Sequence, residues 1–292
     1  MAELPKAAFP KTKPPATSRI LDRWISDKAR ADGVAVDRAR RSLSFMVVSA
    51  ALSQLIDEAG VPLFMLKGGV AMELRFGLRA RASKDYDTAF RQEMTHLEVV
   101  LDAAQRHPVG KFVVSAGPAR PIGPTGALRI LLTIRYGTQP WGKVTLEVSA
   151  IEGGAGRAEE IDYRKPSPAF SMFGIEETQT DVPCLPVRWQ MAQKLHACTE
   201  ILGHKENARF WDLFDLLLLE ELVADDAWGD LRAACEEVFS LRGKHSWPPT
   251  VTVSPGWLAP YADLAEKAEF PITDVHAAAD AVTAIIARIA AA

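Results

Sequence analysis

The first third of the chain alternates between two kinds of apolar pattern. Thr17 or Ser18 is a suitable N-cap for a short helix that runs through Lys28. Apolar residues then recur at helical spacing over residues 37–60, where a glycine ends the second predicted helix. The next run, VPLFML, is short, apolar and bounded by turn residues, which predicts a buried strand. After a Lys-Gly-Gly turn, VAMELRF predicts a third helix that ends at Gly77.

Period-two alternation dominates the following segment. Residues 84–90 (KDYDTAF) alternate as a strand does, and residues 94–108 then return to a helical pattern. Three further strands are predicted from KFVVS, LRILLTIRYG and KVTLEVSAI, the last two joined as a hairpin around TQPWG. This order of helices and strands predicts a mixed β-sheet with helices packed against it.

The character of the chain changes near residue 180. Three consecutive helical patterns follow, RWQMAQKLHACTEIL, ARFWDLFDLLLLEELV and DAWGDLRAACEEVFSLR, and an alanine-rich helix closes the chain. We therefore predict an α+β fold, in which a mixed sheet with packed helices precedes an all-helical C-terminal half. The expected division is a flexible basic arm over residues 1–16, an α/β domain over 17–180 and a helical domain over 181–292.

Composition narrows the class of protein. The chain has 292 residues, of which 48% are hydrophobic and 24% charged, as in an ordinary globular protein with a real core. Its three cysteines form no CxxC pair, which argues against a disulfide framework or a zinc site. The N-terminus lacks the apolar region of a signal peptide, and no apolar run is long enough to span a membrane. We expect a cytoplasmic protein without a membrane partner.

Basic charge is concentrated near the N-terminus. The net charge is −3, yet residues 1–45 carry ten lysines and arginines against five acids, and residues 67–91 carry six against three. Such local excess suits a polyanionic partner such as nucleic acid. Solvated helix faces account for the same charges equally well.

Two aspartates one residue apart are the first candidates for chemistry. Asp85 and Asp87 share one face of a predicted strand, where unpaired carboxylates repel each other. A divalent cation relieves that repulsion, and Mg²⁺ (or Mn²⁺) prefers such carboxylates together with substrate phosphates. Glu147, on the polar face of a later strand, would complete a three-carboxylate cluster. The alternative for Glu147 is an exposed acid that faces Arg129 or Arg135.

A glycine pair supplies a candidate phosphate site. Gly68 and Gly69 lie between a predicted strand and the N-terminus of a helix, where free backbone N–H groups bind phosphate. Lys67 precedes them and would neutralise part of the phosphate charge. A Gly-Gly turn and an Asp-x-Asp strand are each weak signals alone, and their combination in this order is much less common.

This combination resembles the polymerase-β-like nucleotidyltransferase superfamily. Within that superfamily, FMLKGGVAMELRFGLRARASKDYD is similar to the signature of AbiEii-type nucleotidyltransferase toxins of type IV toxin–antitoxin modules. QKLHA and RFWDLFDLLLL are similar to later motifs of that family, a lysine helix and an aspartate-rich helix. The chain departs from the family pattern at several positions: Val70, Tyr86, Glu147 and Trp211 stand where other residues are usual.

The resemblance implies an activity and roles for particular residues. It implies Mg²⁺-dependent transfer of NMP from an NTP to an RNA 3′ end, most plausibly the tRNA acceptor end, which blocks translation. Lys194 and Asp212 would act at the nucleotide, and the basic stretch would follow the RNA backbone. The residues assigned on this basis are Asp85, Asp87, Glu147, Lys194 and Asp212 as catalytic, Lys67, Gly68, Gly69 and Ser83 at the phosphates, and Arg75, Arg79 and Arg81 on RNA.

Two of these roles keep an alternative. Lys194 has apolar neighbours and could equally be a surface lysine whose stem lies along the helix. Asp212 and Asp215, three residues apart, either orient Lys194 or form a salt bridge with Arg209 or Lys205. Two tryptophans of this half, Trp189 and Trp211, are expected to pack its core.

The resemblance also implies a cognate antitoxin. Ser83 stands two residues before Asp85, where some relatives carry a hydroxyl residue that a kinase-like antitoxin phosphorylates. A phosphate there would compete for the NTP phosphate site. The alternative is a hydroxyl that bonds a nearby backbone or nucleotide phosphate.

Two other functions stay open. The same chemistry could serve a protein or small-molecule (antibiotic) acceptor, although a small-molecule site should be acidic and the chain is locally basic. A non-catalytic NTP- or RNA-binding module is the second alternative, and the intact Asp-x-Asp pair argues against it.

Overall fold

A computed structural model describes residues 13–123, 126–165, 168–175, 181–203 and 206–292. The chain divides into two compact units, each assembled from separate stretches. The first comprises Met1–Leu66, Lys84–Ala150 and Tyr163–Cys184, and the second Lys67–Ser83, Ile151–Asp162 and Leu185–Ala292. Residues 1–12 of the predicted arm lie outside the described residues, and the contiguous division into 1–16, 17–180 and 181–292 stays a prediction.

The first unit opens with two helices, α1 (Ser18–Asp32) and α2 (Val36–Ser53). Helix α1 begins as predicted, because the side chain of Thr17 accepts a hydrogen bond from the backbone N–H of Ile20. Gly33 ends it in the left-handed conformation that glycine tolerates best. Its buried face repeats every four residues, as an amphipathic helix requires, at Leu21, Ile25 and Ala29.

Helix α2 is shorter than predicted. It was expected to continue to Gly60 but ends at Ser53. The reason lies in Asp57, whose carboxylate accepts hydrogen bonds from the backbone N–H groups of Ala59 and Val61. Aspartate that bonds its own backbone in this way offers the chain a turn in place of another helical turn. The tight turn leads straight into the first strand.

The first unit is built on a mixed sheet. Its strands, in chain order, are β1 (Phe64–Leu66), β2 (Tyr86–Phe90), β3 (Phe112–Ala116), β4 (Arg120–Ile122), β5 (Ala127–Tyr136), β6 (Gln139–Ala150), β7 (Asp162–Arg164) and β8 (Val182–Cys184). They lie in the order β3-β5-β6-β2-β1-β8-β7, with β4 beside β5. β2 pairs in parallel with β6 and β1 with β8, whereas β1–β2 and β5–β6 are antiparallel. Helix α2 packs on this sheet against β6 and β3, and a short helix, Leu97–Ala103, packs against β3.

The sheet agrees with the prediction and adds to it. The predicted α+β fold with a mixed sheet is confirmed, and the five predicted strands are β1, β2, β3, β5 and β6. The three-residue strands β4, β7 and β8 were not predicted because they are too short to show a two-residue period, whereas β1, of the same length, lies in the apolar run VPLFML. The hairpin between β5 and β6 turns at Gly137, so that most of TQPWG belongs to β6.

The second unit is helical, which confirms the predicted character of the C-terminal half. Counting the short helix of the first unit as α4, its helices are α3 (Gly68–Phe76), α5 (Val187–Thr199), α6 (Phe210–Glu220), α7 (Trp228–Arg242), α8 (Leu258–Lys267) and α9 (Val275–Ala291). Helix α5 packs against α6 and α7, and α9 packs against α6, α7 and α8. Helix α8 was not predicted because Pro260 reads as a helix breaker, although its place in the first turn is one that proline tolerates.

Within the described ranges, no helix is long and apolar enough to cross a bilayer.

Candidate functional site

The two aspartates lie at the start of β2 in the first unit, on either side of a buried tyrosine. Tyr86 is 1% exposed, and its hydroxyl lies 2.6 Å from the hydroxyl of Ser49 on α2. Asp85 and Asp87 are both half-buried, as expected when neighbouring side chains of a strand point to opposite faces. The buried tyrosine therefore holds the strand so that both carboxylates face away from α2.

A third carboxylate lies beside them on β6. Glu147 is the direct partner of Asp87 in the parallel pairing of β2 with β6. Neighbouring strands are about 4.8 Å apart, so these two side chains leave the sheet side by side. On its other side, Glu147 pairs with Arg129 of β5. The sheet thus places Glu147 beside Asp87, while Asp85 lies one residue before the start of β2.

Arg129 is hydrogen-bonded to one of these carboxylates, that of Glu147. Its Nε and terminal nitrogen donate to Oε1 of Glu147 at 3.0 and 2.5 Å. The hydrogen bond and charge of Glu147 raise the pKa of Arg129, and the charge of Asp85 adds to this. The alternative of an acid that faces Arg129 is thus present in the geometry. A role for Glu147 as third metal ligand stays a prediction.

The glycine pair begins α3 in the second unit. Lys67 is extended at the N-cap, and Gly68 has a φ of +65°, which disfavours any other residue. A Cβ on Gly69 would lie 2.8 Å from Oγ of Ser83, so that only glycine fits beneath this serine. The turn and Ser83 are consequently packed against each other at the N-terminus of a helix.

Ser83 is held in place from its backbone as well. It is 5% exposed, and its N–H donates to a carboxylate oxygen of Glu73 on α3 at 2.7 Å. Glu73 was not predicted from the sequence, although its position in α3 ten residues before Ser83 is visible in the same motif. Burial raises the pKa of the Glu152 carboxyl, but the charges of Arg242 and Lys67 lower it, and the pKa is lowered overall.

The predicted lysine and aspartates of the second unit form one buried ionic network. Lys194 on α5 is 7% exposed, and its Nζ donates to Asp212 at 2.7 Å and to Asp215 at 2.6 Å, both on α6. Arg81 adds two hydrogen bonds to the same oxygen of Asp215, at 3.2 and 3.3 Å. The alternative of a surface lysine is therefore wrong, because its ammonium lies between the two helices.

Charge decides the protonation state of this network. Burial opposes the charged form of Lys194, but Asp212 and Asp215 raise the pKa of its ammonium above the usual value. For Asp215, burial acts against ionisation, yet the charges of Lys194 and Arg81 lower the pKa of its carboxyl. Asp212 and Asp215 each keep one buried oxygen without a hydrogen bond within the described residues. Arg209 lies 3.8 Å from Asp212, which is the predicted salt bridge in a loose form.

The three arginines predicted to contact RNA have different surroundings. Arg79 is exposed and forms a bidentate pair with Glu221, at 2.9 and 2.5 Å. Arg81 is partly exposed beside Asp215. Arg75, by contrast, is 1% exposed, and it donates to Gln190, Asp162 and the backbone oxygen of Leu185.

The burial of Arg75 does not fit a contact with RNA, and we keep that prediction for Arg79 and Arg81. Gln190 was not predicted; it accepts a hydrogen bond from Arg75 and donates one to the backbone oxygen of Gly68 at 3.0 Å. Its position one helical turn before Lys194 was the signal that could have revealed it. Gln190 thus connects the lysine helix to the glycine turn.

Comparisons with known proteins identify the fold and the family. The fold is similar to that of MenT4, a nucleotidyltransferase toxin from Mycobacterium tuberculosis H37Rv, with a TM-score of 0.55 at 18% identity over 94% of this chain and 90% of that one. A search of curated proteins finds no match. The family described as nucleotidyl transferase AbiEii toxin, type IV TA system, matches residues 50–284, which include every assigned residue from Lys67 to Asp212. This chain therefore belongs to the AbiEii family of nucleotidyltransferase toxins of type IV toxin–antitoxin systems.

Proposed function

We propose that this enzyme transfers NMP from an NTP to the 3′ hydroxyl of an RNA, with the tRNA acceptor end as acceptor, and so blocks translation. The observation that carries the proposal is the carboxylate arrangement of the first unit. Asp85 and Asp87 flank buried Tyr86, and Glu147 lies beside Asp87 on the neighbouring strand. Carboxylates side by side on neighbouring strands suit phosphoryl chemistry, which depends on charge neutralisation and positioning.

The proposed cofactor is Mg²⁺ or Mn²⁺. Carboxylate oxygens are the donors such ions prefer, and Mg²⁺ commonly takes one or two of them together with substrate phosphates. In the part of the chain that the structure describes, no three His, Cys, Asp or Glu side chains are arranged to hold a metal ion. We therefore assign the cation to Asp85 and Asp87. Glu147 would become a further ligand only when the cation and the NTP are bound. The bound ion would neutralise charge on the reacting phosphate.

The reaction is an in-line displacement. The 3′ oxygen of the acceptor forms a bond to the α-phosphorus, the bond from that phosphorus to the bridging oxygen breaks, and pyrophosphate leaves. Both hydrogen bonds from Arg129 fall on Oε1 of Glu147, which leaves Oε2 to accept the hydroxyl proton. Arg129 would then fix the orientation of the proton acceptor.

The phosphates of the NTP are assigned to the second unit. The N-terminal N–H groups of α3 at Gly68 and Gly69 suit an anion, and Lys67 adds positive charge. Lys194 would contact the triphosphate, held in position by Asp212. Because Lys194 is buried between carboxylates, it stays charged and does not serve as a proton acceptor.

The basic residues are assigned to the RNA backbone. Arg79 and Arg81 would contact phosphates of the acceptor, together with the N-terminal segment. Such contacts position nucleic acid without recognising its sequence. The local positive excess supports an RNA acceptor over a small molecule.

Membership of a type IV toxin–antitoxin family implies an antitoxin, and we propose that a kinase-like antitoxin acts on Ser83. The hydroxyl is 5% exposed and packs over Gly69, so a phosphate could be added only if the glycine turn moves away. Once attached to Ser83, the phosphate has a charge of about −1.5 to −2 and would repel the NTP phosphates from the glycine turn. Phosphosite mapping after coexpression with the product of the neighbouring gene tests this. A toxin neutralised without phosphate on Ser83 would contradict it.

The transfer itself is tested with labelled nucleotides. The chain is incubated with total tRNA, Mg²⁺ and each of the four α-³²P NTPs in turn. We expect label in tRNA that is lost with EDTA and in Asp87→Asn. Asp102→Asn is the matched control, because Asp102 is an exposed aspartate on α4 of the same unit.

The outcomes of this assay distinguish a tRNA acceptor from a protein or small-molecule acceptor. Label in tRNA in one lane would also identify the preferred nucleotide. Absence of label in every lane, from folded protein without phosphate on Ser83, would contradict a tRNA acceptor. The same assay with cell protein or aminoglycosides would then test a protein or small-molecule acceptor, and tight metal-independent RNA binding would favour a non-catalytic module.

A further inference from the structure

Trp211 is less buried than we expect for a tryptophan in the helical half. It was expected to pack the core of the helical half, as Trp189 does at 4% exposure. Trp211 instead lies in the first turn of α6 and is only partly covered, whereas the residues that follow it, Asp212 to Leu219, are buried. Its indole N–H has no acceptor within the described ranges. A large aromatic side chain is thus left at the surface beside the ionic network.

Positive charge surrounds this ring. The guanidinium carbons of Arg81 and Arg209 each lie 5.8 Å from the ring centroid of Trp211. These distances are near the outer limit of a cation–π contact and exceed the 3.9 Å of Arg288 over Trp228. Neither guanidinium is therefore stacked flat on the indole. Arg209 is also 54% exposed, so that its movement away from the ring costs little.

Arg81 connects this ring to the glycine turn. Its terminal nitrogen lies 3.5 Å from the position that a Cβ on Gly69 would take. When the length of one guanidinium C–N bond is added to these two distances, the ring centroid of Trp211 lies no more than about 11 Å from that position. A sugar and one or two phosphates bridge such a span.

We infer that Trp211 is the stacking surface for the base of the incoming nucleotide. The inference rests on the proposed function, since it takes the glycine turn as the phosphate site. With the phosphates at Gly68 and Gly69, the base reaches the indole, and the exposed Arg209 lies beside the base edge. Stacking on an aromatic ring accepts every base, so the ring supplies affinity, and Arg209 supplies any preference.

The test measures binding, separately from transfer. Wild-type protein is titrated with the α,β-methylene analogues of the four NTPs in the presence of Mg²⁺, by calorimetry and by tryptophan fluorescence. We expect Trp211→Ala to bind about tenfold more weakly, equal to about 1.4 kcal/mol. Trp211→Phe keeps an aromatic face and should stay within about threefold of wild type while losing most of the fluorescence change.

The control is Trp247→Ala, which removes another partly exposed tryptophan of the same unit, one that packs on Phe239. It should leave nucleotide affinity unchanged. Nucleotide affinity that is equal in Trp211→Ala and wild type would overturn the inference, and so would a loss of tRNA affinity without a loss of nucleotide affinity. Absence of transfer to tRNA, with the expected binding differences intact, would instead count against the proposed acceptor alone.

Discussion

Lys194 lies 2.6 Å from the carboxylate of Asp215, and neither group is more than 7% exposed. The pair joins α5 to α6 inside the helical unit, with Asp212 as a second partner of the lysine. Lysine and aspartate are rarely buried unless they are paired. The nucleotide contact assigned to Lys194 is therefore built on an ion pair that also matters for folding.

Loss of the lysine should destabilise the fold. Lys194→Met leaves two buried carboxylates without their main partner, and we expect the free energy of unfolding to fall by about 3–5 kcal/mol. Asp215→Asn combined with Lys194→Met should cost less than the sum of the single changes, because the double variant leaves fewer uncompensated charges. Urea denaturation of the four proteins measures this coupling.

An exposed ion pair provides the comparison. Arg232 and Glu236 are one helical turn apart on α7, with side chains 44% and 50% exposed. Arg232→Met should cost less than about 1 kcal/mol. Equal losses in Arg232→Met and Lys194→Met would contradict the importance of burial.

Stability should depend on pH through His196. Burial lowers the pKa of this imidazole to about 4, and the charge of Arg242 acts in the same direction. In the unfolded chain its pKa is about 6.5. Between those values the unfolded state binds the proton and the folded state does not, so stability decreases as the pH falls from about 6.5 towards 4.

The slope from one such group is at most about 1.4 kcal/mol per pH unit. His196→Gln removes the titrating group, and the dependence of the unfolding free energy on pH should become shallower over that range. A His276→Gln variant is the control, since His276 is exposed near the start of α9. An unchanged slope in His196→Gln would show that other groups dominate.

The close contact between Gly69 and Ser83 predicts a strict requirement for glycine. Gly69→Ala would place its Cβ 2.8 Å from Oγ and 2.9 Å from Cβ of Ser83. We expect a loss of about 1–3 kcal/mol in stability, as for other overpacked sites, and weaker NTP binding. Ser83→Gly in the same chain should recover most of the stability, because both clashing atoms are removed.

Gly229→Ala is the matched glycine control. It lies in the first turn of α7, and nothing lies within 4 Å of the position that its Cβ would take. Thermal unfolding should show an unchanged or slightly raised midpoint, since alanine favours the helix. If Gly69→Ala behaves in the same way, the packing of the glycine turn against Ser83 is unimportant.

Substitution of Arg79 should affect RNA binding, whereas substitution of Arg75 should affect folding. Arg79→Gln should weaken tRNA binding and reduce the dependence of log affinity on log salt by about one, with no loss of stability. Arg75→Met should lower the free energy of unfolding by about 3–5 kcal/mol, because Asp162 and Gln190 lose a buried partner. Filter binding at several salt concentrations and urea denaturation distinguish the two effects. A salt dependence that Arg79→Gln leaves unchanged would remove Arg79 from the RNA contacts.

Structural features that depend on a few neighbouring residues were predicted from local sequence patterns. The alternation around Tyr86, the N-cap of α1, the end of α3 at Gly77 and the glycine pair depend on a few neighbouring residues, and so these features were predicted from the sequence. The early end of α2 was missed because the side chain of Asp57 competes with the helix for backbone hydrogen bonds. The short strands β4, β7 and β8 were missed because they depend on their neighbours in the sheet.

By itself, the sequence determined the order of the longer elements other than α8, the Asp-x-Asp strand and the family motifs, since periodicity and residue type encode these directly. Only the tertiary structure decided which charges are buried. Lys194 and Arg75 are buried because partners 18 and 115 residues away neutralise them or accept their hydrogen bonds. The exposure of Trp211 was decided in the same way, because α6 turns its aspartates inward to Lys194 and leaves the indole at the surface.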